Sequence, residues 1–129
     1  MNRTELFIKL NAKLRNPYWS WCSLHKDRRF AVFNIWADQI VENKTILTSD
    51  DAKVLNRLGG QEQERVIDYV IEHNIPAFGL ISHAKDVDAE PRKIDHFESE
   101  YLNRLTVARE NGRGVVTHQG RIHVLDVIG

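Results

Sequence analysis

Three tryptophans, Trp19, Trp21 and Trp36, fall within NPYWSWCSLHKDRRFAVFNIWADQ (residues 16–39), with Lys26, Arg28 and Arg29 between them. Indole faces stack on nucleobases, which contributes about 1–3 kcal/mol per base, and neighbouring cations hold phosphates. Trp19 and Trp21 are two residues apart, so in extended chain they point the same way with Ser20 opposite. The competing fate for each ring is the core, because tryptophans are mostly buried. Taken together, the rings and cations favour a surface in which at least one indole touches a ligand.

Other chemistry finds less support. His83, Asp86, Asp88 and Glu90 lie close in sequence, and hard cations bind such oxygen clusters. The stretch lacks the glycine and full ligand spacing of a calcium loop, so it reads as a solvated acidic loop. His118 and His123 flank a Gln119-Gly120 turn, but zinc would need a third ligand. Asp88, Glu90, Pro91, Arg92 and Lys93 put acids near a lysine, yet Pro91 interrupts the strand that a metal-dependent nuclease would require. Cys22 stands three residues from His25, which is no nucleophile signature, and reads as a buried thiol. No GxSxG, P-loop or dinucleotide fingerprint occurs. The expectation is a chain with no catalytic residues, no metal and no cofactor.

The 129 residues fit one domain with a core of its own. No apolar run approaches the roughly 18 residues of a membrane span, and the charged opening MNRTELFIKLNAKLR is no secretory signal. One cysteine rules out an internal disulfide and fits a cytoplasmic location. Net charge is zero, which argues against a general electrostatic grip on nucleic acid. The charge is nevertheless divided. Residues 1–36 carry seven Lys/Arg against two Asp/Glu, residues 37–101 seven against fourteen, and residues 102–129 four against two. The tryptophan segment therefore belongs to the basic part of the chain.

The elements that must position these residues follow from spacing. Asn2 caps a helix over residues 3–15, with Glu5 at the capping-box position, and the helix stops before Pro17. Residues 29–36 form a strand whose Ala31, Phe33 and Ile35 face the core, leaving Asn34 and Trp36 on a mixed face. A short strand at residues 45–48 is a candidate partner for it; Ser49 then caps a short helix that Gly59-Gly60 ends. A second helix covers residues 61–73, with Val66, Val70, Ile67 and Ile71 as its apolar stripe. Residues 75–84 are a strand in which Gly79 marks a bulge or a close approach. Residues 85–98 form a polar loop, and strands follow at 101–108, 114–117 and 121–128, joined by turns at Asn111-Gly112 and Gln119-Gly120. The result is an α+β domain whose five or six strands close into a small β-barrel with flanking helices.

The stretch IPAFGLISHAKDVDAEPRKIDHF and the following YLNRLTVAR resemble the central part of PUA-like domains, especially the EVE and ASCH branches. The matching positions are Gly79, Asp88, Pro91 and the strand from Tyr101. The opening NPYWSWCSL and RRFAVFNIWADQI is similar to modules found beside HNH-type, modification-dependent endonucleases. Two departures stand out: the sequence opens on a helix where EVE domains have a strand, and it contains no HNH motif. The resemblance implies a single PUA-like domain over residues 1–129 that admits an extruded, modified base into an aromatic pocket. It implies stacking by Trp19, Trp21 and Trp36, edge reading by Ser20, Asn34 or Asp38, and backbone contacts by Lys26, Arg28 and Arg29. Extruding a base costs a few kcal/mol, which stacking and phosphate contacts offset. The implied partner is nucleic acid, DNA ahead of RNA, with a separately encoded nuclease as effector and no membrane. The alternatives are a protein-interaction or immunity-type module, favoured by zero net charge, and a metal-dependent enzyme using Asp86, Asp88 and Glu90.

Overall fold

The computed structural model describes residues 2–16, 19–89 and 92–128. It is an α+β protein built on a seven-stranded mixed sheet, curled into a half-barrel. The strands are β1 (Cys22–Leu24), β2 (Ala31–Trp36), β3 (Lys44–Ile46), β4 (Ala77–Ala84), β5 (Ile94–Phe97), β6 (Tyr101–Glu110) and β7 (Arg113–His123). Among the described residues the α-helices are α1 (Arg3–Lys9), α2 (Ala52–Leu55), α3 (Leu58–His73) and α4 (Val124–Ile128). The spatial order is β1-β2-β4-β6-β7-β3, with β5 attached to β4.

Strand β4 organises the sheet. It runs parallel to β2 from Ala77↔Ala31 to Ser82↔Trp36, antiparallel to β6 at Ala77–Gly79, and antiparallel to β5 at Ser82–Ala84. Parallel neighbours need a crossover, and here the chain between β2 and β4 carries α3 across one face. Both faces of β2 and β4 are therefore buried. Ala31, Phe33, Ile35, Ala77 and Ile81 pack with Val66, Ile67 and Val70 of α3. On the other face Phe30, Val32 and Leu80 pack with Leu6, Phe7 and Leu10 and with Val124 of α4. Alternation along β2 thus separates two cores, not a core from solvent.

The α+β class agrees with the sequence; the strand count and several boundaries do not. The sheet has seven strands, more than the expected five or six. β1 is only three residues long and β5 lies within the expected polar loop. β3 pairs with β7, at the far side of the sheet from its expected partner β2, because β4 takes that place beside β2. The Asn111-Gly112 turn is present with both residues at positive φ (54° and 80°), the two-residue hairpin geometry. Gln119-Gly120 is no turn. β7 runs straight through it, because the register slips opposite Arg104 and Gly120, at φ 113°, absorbs the extra residue as a bulge. Residues 124–128 are helical, not strand.

Helix α1 ends at Lys9, short of residue 15, through a Schellman motif. Asn11 sits at φ 55° and donates to the Ile8 carbonyl, and Ala12 donates to Phe7. The expected stop at Pro17 lies outside the described residues. At its other end Asn2 Oδ1 accepts the Glu5 amide at 2.8 Å. Asp51, not Ser49, caps α2, accepting from the Lys53 amide at 2.9 Å. Gly79 is a close approach: a Cβ there would stand 3.0 Å from Ile35 Cγ1, and the pairing stays regular on both sides.

A polar network sits within the sheet at the β3, β6 and β7 end. His118, 5% exposed, has Asn103 Nδ2 at 2.9 Å from Nδ1 and Thr45 Oγ1 at 3.0 Å from Nε2. An amide nitrogen can only donate, so Nδ1 accepts and Nε2–H donates to Thr45: the ring is neutral. Burial holds its pKa below the ordinary histidine value. On acidification the unfolded chain takes up this proton first, so the neutral ring's contribution is complete above pH ~6.5 and is lost as pH falls through the lowered folded value. Melting temperature followed from pH 8 to 5 is expected to fall less steeply in His118→Asn than in wild type. Parallel curves would remove His118 as the source.

Candidate nucleic-acid interface

Helix α3 owes its position to glycines at its contacts. A Cβ on Gly114 of β7 would stand 2.5 Å from Ile67 Cδ1, so the helix lies directly on that strand. Gly59 and Gly60, expected to end the preceding helix, instead form the first turn of α3. A Cβ at Gly59 would collide with the Trp19 carbonyl oxygen, and one at Gly60 would come within 2.6 Å of the Val54 carbonyl oxygen. Their lack of side chain is used for close packing, which overrides the preference of a glycine pair for a break. One edge of α3 is then tied to β6: Arg109 reaches Glu64 Oε1 and Asp68 Oδ1, each at 2.7 Å. The opposite edge carries Glu62, Arg65 and Tyr69, spaced i, i+3 and i+7 on one side of the helix.

That free edge faces the β1–β2 hairpin across an open cleft of about 370 Å³. Its lining includes Lys13, Arg15, Arg28, Arg65, Glu62 and Tyr69, with Cys22 beneath. Leu24 and Ala31 close the hairpin pairing, and the Arg28 amide donates to the His25 carbonyl at 2.8 Å within its loop. Arg28 occupies the left-handed region at φ 59°, a conformation that costs a non-glycine residue roughly 1–2 kcal/mol. Its guanidinium lies 5.0 Å from the centre of the Tyr69 ring, and Tyr69 stacks on His73 at 4.1 Å. The Cys22 thiol is fully buried, and burial pushes its pKa well up, so it contributes apolar floor and not a thiolate.

Glu62 is the unusual group in this cleft. It is 8% exposed, and its Oε1 has no hydrogen-bond partner among the described residues. Burial raises its pKa, while the Ser20 hydroxyl and the charges of Arg15 and Arg65 act in the opposite sense. No ion pair closes on it among the described residues. A buried carboxylate left in this state disfavours the folded chain unless something else meets it.

The residues singled out from the sequence divide between two places. Arg28 lines the cleft; Lys26 and Arg29 are exposed on the same hairpin loop. Trp19 and Trp21 are half-buried beside the first turn of α3, where Trp21 Cε2 lies 3.3 Å from the position of a Gly59 Cβ. Ser20 is 1% exposed and its hydroxyl accepts the Asn16 amide at 3.0 Å, so it serves the turn and Glu62. Trp36, Asn34 and Asp38 gather elsewhere, at the end of β2. There Ser82 Oγ donates to Asn34 Oδ1 at 2.7 Å. Arg92 makes a two-pronged pair with Asp38 at 2.7 and 2.8 Å and lies 5.4 Å from the Trp36 ring centre. That guanidinium holds the Asp38 carboxyl below its usual range. Among the described residues no ring pairing involves a tryptophan, so the three indoles do not form one aromatic cluster.

Lys13, Arg15, Glu62, Arg65 and Tyr69 belong to no motif in the sequence. The signal available there is the polar stripe Glu62-Arg65-Tyr69, which runs beside the apolar Val66/Val70 stripe of the same helix. Among the acids weighed for a metal, Asp86 accepts the Asp88 amide at 2.9 Å and both are exposed, while Glu90 and Pro91 lie outside the described residues. Among the described residues no three His, Cys, Asp or Glu side chains converge in a way that could hold a metal ion. No helix among them is long and apolar enough to cross a membrane.

The contact between α3 and the tryptophan segment is testable through stability. Gly59→Ala forces a methyl group against the Trp19 carbonyl, and overpacking of this kind typically costs about 1–3 kcal/mol. Urea unfolding should give a lower midpoint at unchanged slope, with altered tryptophan emission from the folded state. Wild-type stability and emission would mean that the helix start can yield. No family model, curated protein or solved structure matches this chain, so what the cleft does has to follow from its own chemistry.

Proposed function

We propose that this chain is a PUA-like nucleic-acid-binding module without catalysis of its own, that it reads an extruded and modified base, and that its contact surface is the cleft between α3 and the β1–β2 hairpin. The observation that carries the reading is where the charge remains unpaired. The cations that form ion pairs with carboxylates among the described residues are Lys44, Arg92, Arg109 and Arg113, with Glu110, Asp38, Glu64, Asp68 and Asp50 as partners. All of them lie beyond residue 36. None of the seven Lys/Arg in residues 1–36 is in such a pair among the described residues. Lys13, Arg15 and Arg28 from that group, joined by Arg65, rim the cleft. A chain of zero net charge thus keeps a local cationic surface beside a tyrosine ring, the combination that holds phosphates and stacks a base.

The half-barrel with a helix across one face supports the PUA-like reading, and DNA stands ahead of RNA as the partner on the same resemblance. A separately encoded nuclease would be the effector. Trp21 and Trp36 remain the indole candidates for contact with the modified base, Trp21 on the α3 side and Trp36 over Arg92.

The test is the salt dependence of oligonucleotide binding. Arg28→Gly suits the left-handed backbone at that position, so the fold should be retained. Combined with Arg65→Gln it should flatten the plot of log affinity against log salt by about 0.7–0.9 for each phosphate no longer neutralised. An unchanged slope would remove both residues from the interface, and no binding by wild type even at low salt would favour a protein-interaction module. In tryptophan fluorescence titrations, strands carrying methylated or hydroxymethylated cytosine should quench more strongly than unmodified ones. Equal responses would remove the modified-base part of the reading.

A further inference from the structure

We propose that Glu62 is the base-reading group of the cleft, and that its ligand is a nucleobase presenting an exocyclic amino group, bound with its phosphates on Arg15, Arg28 and Arg65. This inference rests on the nucleic-acid reading above and narrows it. Three observations independent of the resemblance converge. Glu62 Oε1 is buried and has no hydrogen-bond partner among the described residues. Glu62 lines the same cavity as four cations. Those cations are near enough for two of them, Arg15 and Arg65, to act on its charge, yet none closes an ion pair with it among the described residues.

A cavity built for a bare anion would not hold a carboxylate among its cations. The repulsion between that carboxylate and the anion would cancel part of the attraction. A cavity built for an apolar ligand would not need the cations. The combination matches a ligand that carries negative charge at one end and N–H donors at the other, which describes a nucleotide. An ionised carboxylate accepts hydrogen bonds and cannot donate. It therefore favours the amino edge of cytosine, adenine or guanine. Where uracil, thymine or hypoxanthine has an oxo group at the corresponding position, the carboxylate meets a second acceptor. Tyr69, which stacks on the His73 ring with the Arg28 guanidinium 5.0 Å from its centre, adds an aromatic ring to the same lining, and the base would displace Arg28 to stack on it. Ser20 fits the same scheme from behind: its hydroxyl engages Glu62 and so helps to set the carboxylate's direction.

The group has a stability signature as well. Its pKa is raised by burial, so ionised Glu62 weakens the folded state at neutral pH, and that penalty disappears as pH falls through the raised folded value toward the ordinary glutamate range. Glu62→Gln should accordingly melt no lower than wild type at pH 7. This keeps the binding experiment free of a folding defect.

The experiment measures fluorescence anisotropy with short single-stranded oligonucleotides that differ at one central position: cytosine against uracil, and adenine against hypoxanthine. Wild type should bind the amino-bearing member of each pair ~10-fold or more tightly, the scale expected for a hydrogen bond to a charged group. Glu62→Gln, whose amide both donates and accepts, should bind both members within about 2-fold of each other while keeping the wild-type salt slope. Salt-dependent binding by wild type without preference within either pair would overturn the role of Glu62 and leave the nucleic-acid reading standing. Preference retained in Glu62→Gln would overturn it too, by assigning the discrimination to another residue. No binding by wild type to any strand at low salt would overturn both. Because the preference is first read on the wild-type protein, the outcome does not depend on the variant folding.

Discussion

The position of α3 against the sheet is the constraint from which the remaining geometry follows. With Gly114 beneath Ile67 and Gly59 beneath the Trp19 carbonyl, the helix can approach more closely than side chains would permit. It is then clamped along one edge by Arg109, which binds Glu64 and Asp68 together, and by Thr48, which donates to Glu64 Oε2 at 2.8 Å while accepting the Gly114 amide at 2.8 Å. Individually such exposed or half-exposed pairs contribute little. They agree with the rotation that burial of the Val66, Ile67 and Val70 stripe sets, and with that rotation Glu62 and Tyr69 face the hairpin.

The same constraint explains why the cleft lies at the edge of the sheet. β1 is three residues long and pairs with β2 alone among the described strands, so beyond it there is no further strand for α3 to cover. The helix edge and the short hairpin leave a space between them that the described residues do not fill with apolar side chains. Lys13 and Arg15 enter it because α1 ends early. The left-handed Asn11 turns the chain back, and Lys26 donates its amide to the Asn11 carbonyl at 2.7 Å. That hydrogen bond ties the N-terminal segment to the hairpin loop that carries Arg28. Two left-handed residues, Asn11 and Arg28, thus stand where the chain brings Lys13, Arg15 and Arg28 to one cleft.

This is also why some of the fold was legible in the sequence and the cleft was not. Periodicity carries the buried alternation of β2 and the second helix, and turn composition carries the Asn111-Gly112 hairpin, because in each the local preference and the tertiary environment agree. Where tertiary contacts decide, local signals mislead. Gly59-Gly60 has the composition of a helix stop, but its role is close packing inside a helix. Gln119-Gly120 has the composition of a turn, but β6 continues to pair across it and converts it to a bulge. Ile71 has the spacing of a core residue, yet at 40% exposed it lies on the Arg109 side of α3, outside the buried stripe. Asn34 and Asp38 stand beside Trp36 in the sequence and in the fold, but their partners, Ser82 and Arg92, come from more than forty residues away. No short window contains such a pairing.

Charge follows a similar logic. The acidic middle of the chain looks like a solvated or partner-binding segment when its residues are counted, and zero net charge argues against nucleic acid. In the folded chain, Asp38, Asp50, Glu64, Asp68 and Glu110 are matched by Arg92, Arg113, Arg109 and Lys44, all of them in the middle or C-terminal part. Pairing within that part leaves its net acidity in place, seven Lys/Arg against fourteen Asp/Glu over residues 37–101 and four against two over residues 102–129, but among the described residues it engages none of the N-terminal cations. A total of zero is therefore the sum of an acidic region and a cationic one, and Lys13, Arg15 and Arg28 of the cationic one line the cleft together with Arg65. Within that cationic setting Glu62 stands out as the one carboxylate of the lining among the described residues. Its burial is unfavourable on its own, and the ligand proposed above is one that supplies the missing donor.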